Sequence, residues 1–132
     1  MKTLNKTSER TFRLLIEGLA EPGDAKKIEN SGGTFMAVSV DFLQRNADGS
    51  CLYAVAHNFI QNGDVCPDPD VEFYVTGLGV APTAIDQVVG YQRAVHFDDA
   101  GRPTGLKIRE QADLASFCNT WMTNIREQQG IK

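Results

Sequence analysis

Cys66 stands nine residues from His57, between Asp64 and Asp68. A thiol, an imidazole and a carboxylate are the parts of a nucleophilic site, in which a base takes the sulfur's proton and an acid orients that base. Nowhere else in the sequence do the three types crowd together. His57 and His96 could also serve as a general acid and base, although two histidines on half-exposed strands are more often plain surface side chains. Asn62, Asp64, Asp68, Asp70 and Glu72 offer oxygen ligands of the kind that hold calcium or magnesium. Their spacing is not that of an EF-hand, and Pro67 and Pro69 stiffen the segment, so a solvated acidic hairpin loop is the favoured reading.

Other chemistry is excluded by missing patterns. There is no C-x-x-C or H-E-x-x-H for zinc, no G-x-S-x-G elbow and no Walker A motif. Gly77-Leu78-Gly79 lacks the third glycine and following helix of a dinucleotide fingerprint. Cys51 and Cys118 read as small core residues. No cofactor, metal or catalytic residue is expected.

The elements that must position these residues follow from periodicity. Phe12, Leu15, Ile16 and Leu19 form one apolar stripe, which predicts a helix over Thr7–Ala20 stopped by Pro22-Gly23. Met36, Val38, Val40 and Phe42 alternate with polar residues, giving a strand over Thr34–Leu43. Further strands are expected over Cys51–Ile60, Val71–Thr76, Val80–Gln87 and Gly90–Phe97, with Pro82 pointing to an edge position. Residues 61–70 read as a polar loop. A second helix spans about Arg109–Gln128, with Leu114, Phe117, Cys118, Trp121 and Ile125 on one face. The expectation is one α+β domain in the order α-β-β-β-β-β-α: a five-stranded antiparallel meander with both helices on one face.

That arrangement leaves the other sheet face open. If Met36, Val38, Val40, Phe42, Val71, Phe73, Val75, Val95 and Phe97 face the helices, then Ser39, Asp41, Glu72, Tyr74, Gln92, His96 and Asp98 face out. Ala54 and Ala56 leave room for a packed helix, which would put Tyr53, Val55, His57 and Phe59 on the open face. The expected result is an acidic surface set with Tyr and His.

Charge supports that picture. The 132 residues carry a net −4, but residues 28–101 hold only Arg45 and Arg93 against ten acidic side chains, a net of −8. The flanking helical segments are each mildly basic. An acidic field repels phosphates and attracts cations, which argues against direct nucleic-acid binding and for a partner with a basic surface. At 42% hydrophobic and 23% charged, the chain has enough apolar matter for a core and is neither disordered nor fibrous. Three scattered cysteines, no apolar leader and no membrane-length apolar run make a cytoplasmic location the expectation.

The last third of the chain carries a resemblance. Gly90-Tyr91-Gln92, Asp98-Asp99-Ala100-Gly101-Arg102-Pro103, Gln111-Ala112-Asp113-Leu114-Ala115-Ser116-Phe117 and Asn119-Thr120-Trp121 are followed by Asn124-Ile125 and Gln128-Gln129. Together with Gly18-Leu19-Ala20-Glu21-Pro22-Gly23-Asp24-Ala25 and Phe35-Met36-Ala37-Val38, this run resembles a bacterial domain family of unknown function found mainly on plasmids, prophages and integrative elements. The resemblance transfers no catalytic residue. It implies a setting in which small acidic proteins act on host complexes such as restriction or CRISPR systems, an association and not a mechanism.

The leading expectation is therefore a non-catalytic protein-binding module acting through Asp41, Tyr53, His57, Asp64, Asp68, Asp70, Glu72, Tyr74 and His96, of which inhibition of a host defence complex is one form. A small enzyme using His57 and Cys66 is the rival, and a structural subunit of a larger assembly is the third reading.

Overall fold

Alternating apolar residues build six antiparallel strands in the computed structural model, which describes residues 1–131. Helix α1 (Lys6–Ile16) is followed by β1 (Ala25–Ile28), β2 (Ala37–Arg45), β3 (Cys51–Gln61), β4 (Asp64–Thr76), β5 (Gly79–Gln87) and β6 (Gly90–Arg93), paired in sequence order. A separate hairpin, β7 (Val95–Phe97) and β8 (Pro103–Leu106), precedes helix α2 (Ile108–Gln128). The class is α+β, with six strands in the main sheet where five were expected.

Both helices cover one face. Phe12 and Leu15 of α1 and Leu114, Cys118, Trp121, Met122 and Ile125 of α2 join Val38, Val40, Phe42, Val55, Val71 and Phe73 in one buried cluster. The Asn5 side chain accepts the Ser8 N–H at 2.8 Å and starts α1. The helix ends at Ile16, four residues short of the expected Ala20, and Gly18 follows in the left-handed region. Lys26 of β1 then donates to the Glu17 carbonyl at 2.6 Å. That contact explains how a strand with two lysines packs against the helix side: Lys26 lies opposite Val40 and carries its ammonium out to the helix end.

The residues read as an acidic loop are mostly strand. Asn62-Gly63 makes the β3–β4 turn, with φ of 53° and 85°, and Asp64 already pairs opposite Gln61. Pro67 and Pro69 are tolerated because β5 begins to pair with β4 only at Asp70. Pro82 likewise sits where β5 has no strand beyond it. There the N-terminal segment takes the edge: the Leu4 N–H donates to the Val80 carbonyl at 2.8 Å. Buried Gln111 completes the join by accepting the Lys2 N–H and donating to the carbonyls of Lys2 and Pro82.

The run Gly90–Phe97 is not one strand. At Ala94 the main chain donates to Thr83 and accepts from Lys107, and beyond it the chain leaves the sheet as β7. The β7–β8 hairpin lies over the open face. Phe97 therefore packs against Tyr74, with ring centres 5.1 Å apart and planes tilted by 58°, and does not face the helices as expected. Gln92 pairs with Ile85 and lies on the helix side, also the reverse of the expectation.

Candidate functional site

The open face is read most directly from the strand register. Antiparallel partners share a face. One row runs Ala25, Asp41, Ala54, Glu72, Ala84, Arg93, and the next runs Lys27, Ser39, Ala56, Asp70, Asp86, Tyr91. Four alanines thus floor a shallow trough walled by carboxylates. Glu72 is compensated: Arg93 grips both its oxygens, at 3.0 and 3.2 Å, and Thr83 donates to it at 2.7 Å. Asp41, Asp70 and Asp86 have no ion-pair partner among the described residues. Burial, and then the charges of Asp86, Asp41 and Glu72, raise the Asp70 carboxyl above its ordinary value. The face is polar elsewhere too, where Asn58 donates to the Ser39 hydroxyl.

Of the expected residues, the structure gathers Asp41, Asp70, Glu72 and Tyr74 on this face. Tyr74 is buried beneath Phe97, so it supports the surface and does not display itself. Asp68 accepts the Val88 N–H at 3.3 Å, and Asp64 is exposed beside the β3–β4 turn. His96 is exposed on β7. Asp86 and Arg93 were missed. Asp86 stands opposite Asp70 only because a bulge between Glu72 and Phe73 shifts the register that the Gly77-Leu78 turn sets, which would otherwise bring Ile85 there.

Tyr53 and His57 are corrections. Both point toward the helices, because Tyr53 stands opposite Phe42 and Phe73, and His57 stands opposite Val38. Tyr53 stacks on Phe42 at 4.6 Å. His57 is 5% exposed, and its Nδ1 accepts the Trp121 Nε1–H at 3.0 Å. The other nitrogen, Nε2, is buried without a partner, and burial lowers the imidazole pKa. Val55 is fully buried beside them, and Phe59 is half-buried on the same side.

The thiol reading loses its geometry with that correction. The lone pair of His57 is held by Trp121, and Cys66 Sγ contacts the Asp64 carbonyl instead of the imidazole. Burial drives the Cys118 thiol far above its ordinary pKa, as befits a core residue. Among the described residues no group of three or more His, Cys, Asp or Glu is placed to hold a metal ion, and no helix is long and apolar enough to cross a membrane.

No curated protein and no solved structure matches the chain. A family model described as a domain of unknown function (DUF6908) matches residues 10–131, nearly the whole length. Its span takes in most of α1, all of α2 and the eight strands described, so the chain belongs to the DUF6908 domain family.

Proposed function

We propose that the protein is a binding module that recognises a basic surface of a partner protein through the open sheet face. One observation carries the reading: Asp41, Asp70 and Asp86 share an alanine-floored trough without a basic partner of their own. Such a surface steers a cationic partner and holds it by charge-assisted contacts. Phe97 covers the neighbouring area at Tyr74, so the acids lie on the part of the face that stays open. Residence on a mobile element and inhibition of a restriction or CRISPR complex are the finer form of this proposal, supported by the resemblance of the C-terminal third.

The test compares the tagged native chain with the double variant Asp41→Lys/Asp86→Lys in capture from a bacterial lysate. Both positions are exposed, so the variant is expected to keep its fold. The expected result is a stoichiometric protein bound by the native chain, released by high salt and absent from the variant. Equal capture by the two would overturn the proposal, and co-purified nucleic acid would contradict it.

A further inference from the structure

The second surface lies at the other side of the sheet, where β6 is an edge strand with β5 on one flank and, among the described residues, no strand on the other. Beneath that edge, on the helix side, a groove of about 230 Å³ separates β5 and β6 from α2. Its floor is apolar: Ile85, Ala94, Leu114 and Phe117. Its rim carries Glu110 and Asp113, neither of which makes an ion pair among the described residues. Phe117 is 40% exposed although it sits beside buried Trp121, as a ring does when its covering is incomplete.

These features fit together. An edge strand offers main-chain N–H and C=O groups to any extended chain laid alongside it. A strand added to β6 would point every second side chain to the helix side, because strand side chains alternate in direction. Those side chains would enter the groove against Leu114 and Phe117 and pass the carboxylates of Glu110 and Asp113. A larger groove, of about 420 Å³, adjoins β1 at the opposite edge, but its charged lining combines Lys27 with Glu29 and so lacks a wholly acidic rim.

We infer that β6 and α2 form a docking site for an extended segment of a partner protein, bound by strand addition, with an apolar side chain in the groove and a Lys or Arg two residues away at the Glu110/Asp113 rim. The rim's uncompensated charge is what selects a basic segment over an acidic or neutral one. The site is separate from the open-face trough and does not depend on it.

The test pans a phage-displayed library of random dodecapeptides against the immobilised full chain, then measures a synthetic peptide of the enriched sequence by fluorescence polarisation. The expected consensus holds an apolar residue and a Lys or Arg two positions apart. Asp113→Lys, an exposed site, is expected to weaken binding by about tenfold or more through like-charge contact, while Asp41→Lys leaves it unchanged. N-methylation of alternate peptide amides is expected to abolish binding, since strand addition needs those donors, and it leaves the protein untouched. Absence of enrichment overturns the inference. So does a peptide that tolerates both N-methylation and Asp113→Lys, or one lost on Asp41→Lys instead, which would move the binding to the open face.

Discussion

The His57–Trp121 pair makes the fold sensitive to acid in a way that can be worked out beforehand. Since Nδ1 accepts the indole N–H at 3.0 Å, the proton of the neutral ring sits on Nε2. Protonation would place a second N–H against the indole donor, break the bond, and leave a charge in a site 5% exposed. Burial accordingly lowers the pKa of His57 from its ordinary 6.5. The unfolded chain takes up this proton near pH 6.5 and the folded chain does not. Stability is therefore present above pH 6.5 and lost as the pH falls from there toward the folded value. Between pH 7.5 and 5.5 the loss is at most about 1.4 kcal/mol, reached when the folded ring takes up no proton in that range.

Urea unfolding followed by the fluorescence of Trp121, the single tryptophan, measures this at pH 7.5 and 5.5. Other groups titrate in the same range, so the relevant quantity is the difference from His57→Gln, which retains an acceptor for the indole and has no proton to gain. The native chain is expected to lose up to about 1.4 kcal/mol more than the variant between the two conditions. Equal losses would refute the reasoning. So would an imidazole pKa at or above 6.5, read from the ring resonances of the folded chain.

Three other outcomes follow from single contacts. Gln111→Ala removes three hydrogen bonds that tie Lys2 and Pro82 together, and is expected to cost about 1–3 kcal/mol; hydrogen exchange should show the Leu4 amide losing protection first. Asp70→Asn is expected to stabilise the fold at pH 7, because a carboxyl with a raised pKa contributes stability below its ordinary 3.8 and loses it as the pH rises; chemical denaturation at pH 7 and pH 3.5 should show the gain closing at the lower pH. Cys118 is expected to resist a disulfide reagent in the folded chain and react only on unfolding, a difference readable by mass spectrometry of the labelled peptides.

Much of the architecture was legible because large apolar side chains recur at strand and helix spacing. Val38, Val40 and Phe42 fixed the buried face of β2, and Leu114 through Ile125 fixed that of α2. The error on β3 came from weighing room for a helix above apolar volume. Tyr53, Val55 and Phe59 carry far more apolar surface than Ala54 and Ala56, and burial favours that parity. His57 went with them, and only its pairing with Trp121, 64 residues away, makes its burial acceptable. A contact of that range has no local signal. Asn62-Gly63 did have one: it is a strong hairpin dipeptide, masked by attention to Pro67 and Pro69. β1 was hidden because four residues with two lysines carry almost no periodicity. The site was legible in the same measure. Asp41 and Glu72 follow from parity alone, whereas Asp70, read as the end of a loop, the Glu72–Arg93 pair and the role of Asp86 depend on the β3–β4, β4–β5 and β5–β6 registers.

The placement of the acids bears on why they are there. The burial of Asp70, and then its repulsion by Asp86, Asp41 and Glu72, work against the folded state and together raise the Asp70 pKa. Solubility does not demand this, since charges dispersed on the turns would serve it at less cost. Arg93 shows that the fold can supply a compensating cation on this same face, and it spends that cation on Glu72, already the most enclosed by Thr83. The remaining three carboxylates make no ion pair among the described residues, as the proposed binding of a basic surface requires. If that is a basic partner, Asp70→Asn should raise stability and lower capture together, an opposition between stability and binding that a merely solubilising charge would not produce. A variant that gained stability with capture unchanged would place Asp70 outside the contact and leave Asp41 and Asp86 to account for it.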